Sequence, residues 1–285
     1  MAFIKIKHYE FNNVVNKEGD IWMDTLINQI DHILIQQKYT KEIFVTMSEI
    51  LDLPIAWDIK SYGGLFVSGG ICFGNINIEI LNYARLLRIL GVAPNKDGII
   101  GIAFEPCNSV EYTSKILDKI GVHHGKPKPF NIKVAGEKKN LWTNLFLKGI
   151  LSKFQMFFCK YSFNVDERRN RFNNQLIERN GGLLGVEYIK EITIGYSDDE
   201  TLNLWKKLSQ KEYGYSNCCI SFKNGPVINL VKSKKDSILS ILVKVKSIER
   251  AKEMLSKKQQ ITLNDNNEII IELKKECNLG LKLCE

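Results

Sequence analysis

Among the side chains of this 285-residue chain, His32 and Glu79 are best placed to do chemistry. His32 interrupts the apolar run Ile30-Asp31-His32-Ile33-Leu34-Ile35, and Glu79 interrupts Ile76-Asn77-Ile78-Glu79-Ile80. Alternate side chains of a strand share a face, so His32 with Leu34, and Asn77 with Glu79, can point into one cavity. An imidazole and a carboxylate sharing a site can act as acid and base if the pKa of either is shifted. Each also has a plainer reading: a core histidine bonded to a backbone carbonyl, and a strand-end carboxylate reaching solvent. Cys159 lies in an apolar strand with Lys160 as the nearest base, pointing the other way, and reads as a buried small residue rather than a thiolate. Trp57, Trp142 and Asn144 are candidates to line a cavity, with core packing the plainer account of the two tryptophans. His8 has no acidic or cysteine partner nearby, and His123-His124 sits in a loop beside Gly125; all three read as surface residues.

The elements that would position these residues recur. Ile30–Ile35 reads as a strand, and Tyr39–Leu51 as a helix with Ile43, Met47, Ile50 and Leu51 on one face. Asp52-Leu53-Pro54 ends that helix, because the residue before a proline avoids the helical region. A strand then begins at Leu53–Trp57, and Leu65–Phe73 and Ile76–Leu81 form two more, joined at Gly74-Asn75. Gly63-Gly64 and Gly69-Gly70 suggest a turn and then a bulge, or backbone brought close to a ligand. The order is β-α-β-β-β. A second copy runs from Ile99–Phe104 through a Ser109-capped helix, Val110–Ile120, which Gly121 stops. It continues through an irregular edge segment at Pro127/Pro129 to the strands Leu141–Leu147 and Gln155–Tyr161.

Asn164–Asn180 reads as a charged, helix-compatible connector ending at Gly181-Gly182. The third copy takes Tyr188–Ile194, the helix Thr201–Leu208 behind an acidic cap, and a hairpin turning at Asn224-Gly225. The fourth takes Leu239–Val245, Ile248–Leu255, Ile261–Leu263, Glu268–Leu273 and Leu279–Cys284. The expected class is α+β: four repeated β-α-β-β-β modules, paired into two domains. The expected divisions are an N-terminal extension (1–28), a first domain (29–162), a helical linker (163–185) and a second domain (186–285).

Composition narrows the partners. A net charge of +8 and a pI near 9.0 raise nucleic acid as a partner. The basic residues are scattered, however, and aromatics are not interleaved with them as a base-stacking platform needs. No nucleic acid is expected. The seven cysteines contain no Cys-x-x-Cys pair, which argues against a zinc ribbon or redox motif. No apolar run approaches the roughly 18 residues that span a bilayer. The expectation is a cytoplasmic protein with reduced thiols and no membrane partner.

Four such modules in two pairs resemble the vicinal oxygen chelate superfamily, the fold of glyoxalases, bleomycin-resistance proteins and extradiol dioxygenases. Ile30-Asp31-His32-Ile33-Leu34 resembles the opening strand of glyoxalase-like proteins, and Gly74–Ile80 resembles their fourth strand. The resemblance implies two glyoxalase-like domains with curved, half-open mixed sheets around a cavity. It implies metal ligands on the first and fourth strands, here His32 and Glu79, for a divalent Zn, Fe, Ni or Mn ion. The second module departs from the pattern, with Gly101 at the first-strand position and Phe158 and Cys159 where an acid is expected. The opening strands of the third and fourth modules carry no histidine, so the second domain is expected to be degenerate, without metal ligands. Two functions follow from the resemblance. One is a metal-dependent lyase, isomerase or dioxygenase acting on a small carbonyl or aromatic compound, with Glu79 as catalytic base. The alternative is a metal-free protein that binds or sequesters a small molecule, as bleomycin-resistance proteins do. A homodimer stays open, because modules of this fold pair within one chain or between chains.

Overall fold

The computed structural model of the chain describes residues 26–91, 93–148, 155–209, 218–222, 224–258, 261–272 and 276–285. Residues 1–25 of the expected N-terminal extension, His8 among them, lie outside the described residues. The first module comprises β1 (Ile27–Gln36), α1 (Thr40–Val45, continuing as a wider π-type segment Thr46–Ile50), β2 (Ile55–Tyr62), β3 (Phe66–Cys72) and β4 (Asn77–Tyr83). The short helix α2 (Arg85–Ile89) leads to the second module: β5 (Gly98–Pro106), α3 (Val110–Lys119), β6 (Lys128–Val134), β7 (Glu137–Phe146) and β8 (Gln155–Tyr161). In each module the first strand runs parallel to the last, and the two first strands, β1 and β5, pair antiparallel. The product is one eight-stranded mixed sheet in the order β2-β3-β4-β1-β5-β8-β7-β6.

Strand alternation gives this sheet two faces. Ile30, Ile33, Ile35, Ile102 and Phe104 face the helices and are buried with Ile43 and Met47 of α1 and Val110 and Leu117 of α3. Leu34, Leu81, Ala103, Phe157 and Cys159 form a separate apolar cluster on the other face, with Trp142, Phe146 and Tyr161 packed on it. The Ser109 hydroxyl accepts from the Tyr112 N–H and starts α3, satisfying one of the orphan donors of its first turn.

Helix α4 (Val165–Glu178) leads to the second half of the chain. There β9 (Val186–Tyr196), α5 (Asp199–Ser209), β10 (Cys219–Ile220) and β11 (Val227–Lys232) make a third module, with two closing strands among the described residues. The fourth module is complete: β12 (Ser237–Val245), α6 (Ile248–Ser256), β13 (Ile261–Leu263), β14 (Glu268–Glu272) and β15 (Glu276–Cys284). These strands form a seven-stranded sheet, β10-β11-β9-β12-β15-β14-β13, joined centrally through antiparallel β9 and β12 just as the first is through β1 and β5. The expected α+β architecture of repeated modules and two curled mixed sheets is the observed one.

The two sheets share a continuous core, in which Trp205 of α5 meets Phe104 of β5 edge-to-face at 6.3 Å between centroids. The Gly74-Asn75 turn docks on β9. The Asn75 amide donates to the Ile189 carbonyl (2.8 Å) and its Oδ1 accepts from the Ile189 N–H (2.9 Å). A Cβ on Gly74 would overlap the Glu187 carbonyl, so this docking needs glycine there.

Three expectations need correction. Gly69-Gly70 is not a bulge, since β3 pairs with β4 without a register break; the irregularity is on β2, beside Trp57. A Cβ at Gly70 would overlap the Trp57 indole, and the glycine lets that ring lie across β3. The Pro127/Pro129 segment is, as expected, an irregular edge: β6 begins at Lys128 and its pairing with β7 breaks register between Phe130 and Asn131, and an edge position tolerates proline. His124 is not a surface residue: its ring is 9% exposed, held by the Gly125 carbonyl (2.7 Å) and Asp118 (3.1 Å). Finally, α4 is more than a connector, because Phe172 packs on Ala56 and Cys72 and Leu176 enters the main core. No helix among the described residues is long and apolar enough to cross a membrane.

Candidate functional site

A break in one strand builds the site. Along β1, Gln29 pairs with Glu105 and Ile30 with Phe104, but the next partner of β5, Ala103, pairs with His32. Asp31 is therefore an extra residue, a β-bulge, and a bulge breaks the alternation of faces. Asp31 and His32, neighbours in sequence, thereby come into side-chain contact. The parallel partner β4 sets Asn77 opposite His32 and Glu79 opposite Leu34.

His32 lies between two carboxylates. Its Nδ1 donates to Asp31 Oδ2 at 2.7 Å, and its Nε2 is 3.2 Å from Glu79 Oε2. The Ser68 hydroxyl donates to the other Glu79 oxygen, and the Trp57 indole N–H donates to Ser68 Oγ at 3.4 Å. Asp31 is held further by the Tyr161 hydroxyl (2.8 Å) and by Arg169 of α4 (2.7 Å). The same guanidinium reaches Glu105 (2.6 Å), which also accepts from the Gln29 amide (2.8 Å). The His32 side chain is 7% exposed and that of Glu79 14%, so Glu79 is the more open end of the chain.

Electrostatics follow from this geometry. Burial works against the imidazolium, but hydrogen bonds to Asp31 and Glu79, with their charges, outweigh it and raise the His32 pKa to about 9. Burial likewise opposes the Asp31 carboxylate, yet the His32 hydrogen bond and charge, with Arg169 and Tyr161, lower its pKa to about 2. Burial pushes the Cys159 thiol well above its ordinary value, assisted by the Asp31 charge.

The other expected cavity residues fall around this chain of groups. The Trp57 and Phe157 rings each meet the His32 ring edge-to-face at 5.8 Å. Trp142 packs against the Cys159 cluster, and Asn144 pairs with Cys159 across β7 and β8. Asn144 Oδ1 is buried with no hydrogen-bond partner. The structure thus brings His32, Glu79, Trp57 and Phe157 together and sets Cys159, Trp142 and Asn144 along the second-module wall. On the second sheet, the Thr193 hydroxyl (2.9 Å) and the Asn229 amide (3.3 Å) donate to Glu191, and no histidine lies in that half of the sequence.

The donor set falls short of a complete divalent-ion site. His32 and Glu79 are two protein donors, where three or four hold such an ion, and no group of three or more His, Cys, Asp or Glu side chains suited to a metal occurs among the described residues.

Reading the sequence missed Asp31, Ser68, Glu105 and Arg169. One signal was present: Asp31-His32 puts two polar residues in succession inside an apolar strand, which alternation cannot bury without a bulge. Nothing local to α4 marks Arg169, because its partners lie 138 and 64 residues away.

No family model matches the chain, and no curated protein matches it. Solved structures do. A hypothetical protein from Staphylococcus aureus superposes with a TM-score of 0.57 at 12% identity, over 90% of this chain and 99% of that one. Homoprotocatechuate 2,3-dioxygenase from Arthrobacter globiformis gives 0.54 at 7% identity, over 91% and 80%. A mutant of 4-hydroxymandelate synthase from Streptomyces coelicolor gives 0.52 at 10% identity, over 85% and 78%. At such identities the likeness concerns fold, and with the paired modules and two curled mixed sheets already described it shows that this chain has the vicinal oxygen chelate fold.

Proposed function

We propose that the face of the first sheet turned away from its helices binds a small molecule, with Glu79 as the polar anchor that meets it and His32 as the group that orients Glu79. One observation carries this reading: a buried imidazole–carboxylate pair, Nε2 to Oε2 3.2 Å, lies among aromatic side chains with its carboxylate as the more open end. Apolar walls with a few placed polar groups are the usual make-up of a small-molecule site. A native-state ligand raises the melting temperature by mass action. In a thermal-shift screen of small carbonyl and aromatic compounds, hits are expected to stabilise the protein equally with and without chelator, and to lose that effect in Glu79→Gln. A screen whose hits all vanish with chelator, or all survive Glu79→Gln, overturns the reading.

The second reading is a metal-dependent lyase, isomerase or dioxygenase with Glu79 as base. The 3.2 Å between Nε2 and Oε2 favours it, because two adjacent ligands at about 2.0–2.2 Å from one ion lie about 3 Å apart. Asp31 on Nδ1 is also the partner that a ligating histidine takes. Water or substrate would have to complete the coordination. Elemental analysis decides: near-stoichiometric Zn, Fe, Ni or Mn, lost in His32→Ala, supports it, and background levels after reconstitution refute it. A reducing, cytoplasmic setting is proposed on the buried thiols of Cys72 and Cys159, which stand outside any disulfide.

A further inference from the structure

The two edge strands of the first sheet, β2 and β6, lie at opposite ends of its hydrogen-bonded order, yet their side chains meet. On the β2–β3 hairpin, Tyr62 and Phe66 stack at 4.8 Å with 15° between their planes. On the β6–β7 hairpin, Phe130 and Trp142 stack at 4.2 Å and 6°. The two stacks touch through an edge-to-face contact, Tyr62 against Phe130 at 6.0 Å. All four rings are partly exposed. No strand ladder joins β2 to β6, and one aromatic contact is weak beside a ladder.

Strand geometry places Glu79 close to this clasp. Ser68, which donates to Glu79, is two residues from Phe66 on the same face, about 7 Å along the strand. Tyr83, four residues beyond Glu79 on β4, meets Phe66 at 5.7 Å. Around the site, Asp31, Glu79 and Glu105 face His32, Arg168 and Arg169, and of the two charges that reach the Tyr62 hydroxyl, Glu79 acts more strongly than Arg168. Aromatic faces carry negative potential, and the second-module wall already holds a cation over one: the Lys128 ammonium lies 5.7 Å from the Phe146 centroid.

We propose that this clasp is the mouth of the site and that it takes a planar aromatic cation, which replaces the Tyr62–Phe130 contact, stacks against the two ring pairs and turns its positive charge towards Glu79. This rests on the small-molecule reading above and adds the class of ligand. A neutral ring of the same shape gains the stacking alone, and an anion meets the Glu79 carboxylate.

The test uses the full chain with N-methylacridinium and with neutral acridine at pH 8, by titration calorimetry and tryptophan quenching. N-methylacridinium is expected to bind about tenfold more tightly than acridine. Tyr62→Leu and Phe130→Leu, which keep apolar bulk without a ring, should each lower its affinity by about tenfold, whereas Tyr62→Phe should keep it. Equal affinity for the two probes, or affinity unchanged in both leucine variants, overturns the proposal. If a leucine variant fails to fold, by circular dichroism, the probe comparison on the native sequence still decides. A neutral or anionic screening hit lost in Glu79→Gln, with no acridinium binding, overturns the ligand class and leaves the small-molecule reading standing. Absence of both kinds of binding overturns the two together.

Discussion

Arg169 holds two buried carboxylates, Asp31 and Glu105, with side chains only 3% and 8% exposed. Removing a partner from such a cluster leaves charge unpaired in a poorly solvated place. Arg169→Met, which keeps the stem, is expected to cost about 3–5 kcal/mol in urea unfolding; a loss below 1 kcal/mol would mean that water reaches these carboxylates. His32 makes stability depend on pH. Its pKa rises from the usual 6.5 to about 9 on folding, so its contribution is complete below pH 6.5 and is lost as pH climbs through 9. That contribution is on the order of 3 kcal/mol. Asp31 behaves oppositely, with its pKa falling from 3.8 to about 2; its share is complete above pH 3.8 and disappears as pH drops through 2. Both shifts describe one Asp31–His32 interaction and are not to be added. Urea midpoints taken from pH 6 to 10 should decline in the native protein and decline less in His32→Gln; parallel declines would assign the slope to other groups.

At the scale of the element, one inserted residue in β1 creates the site. The bulge at Asp31 joins two side chains that a regular strand would hold on opposite faces. Glycine does the complementary work on β3, where Gly70 leaves room for the Trp57 ring. Gly70→Ala is therefore expected to displace that ring, cost about 1–3 kcal/mol and shift the tryptophan emission. An unchanged spectrum and melting temperature would show that Trp57 adapts. Helix α4 is the third device. Its sequence is charged enough to pass for a solvated connector, yet Arg168 donates to the Ala56 carbonyl (2.6 Å) as Arg169 reaches into the site.

On the scale of the whole molecule, the sheets are locked together by packing and by a side-chain amide. The Asn75 amide makes two hydrogen bonds to the backbone of Ile189, and Trp205 rests on Phe104. Asn75→Ala leaves both Ile189 groups without these partners and should cost about 1–3 kcal/mol. Because the core is continuous, the variant is expected to unfold in a single transition, with circular dichroism and tryptophan fluorescence coinciding. Two separated transitions would show that the sheets are independent.

Local pattern was enough to read the modules. Alternating isoleucines, the Ser109 cap, Pro54 and the turn glycines each act over a few residues, and their recurrence carried the α+β architecture of paired modules. The same pattern singled out His32 and Glu79 as polar residues in apolar strands. What they face was decided only in three dimensions. Asp31 joins His32 through a register break, Arg169 arrives from 138 residues away, and Tyr62 meets Phe130 across strands that share no ladder. Such contacts depend on how strands are paired and how far a sheet curls, and these are settled by burial summed over the whole fold rather than by any short stretch of chain.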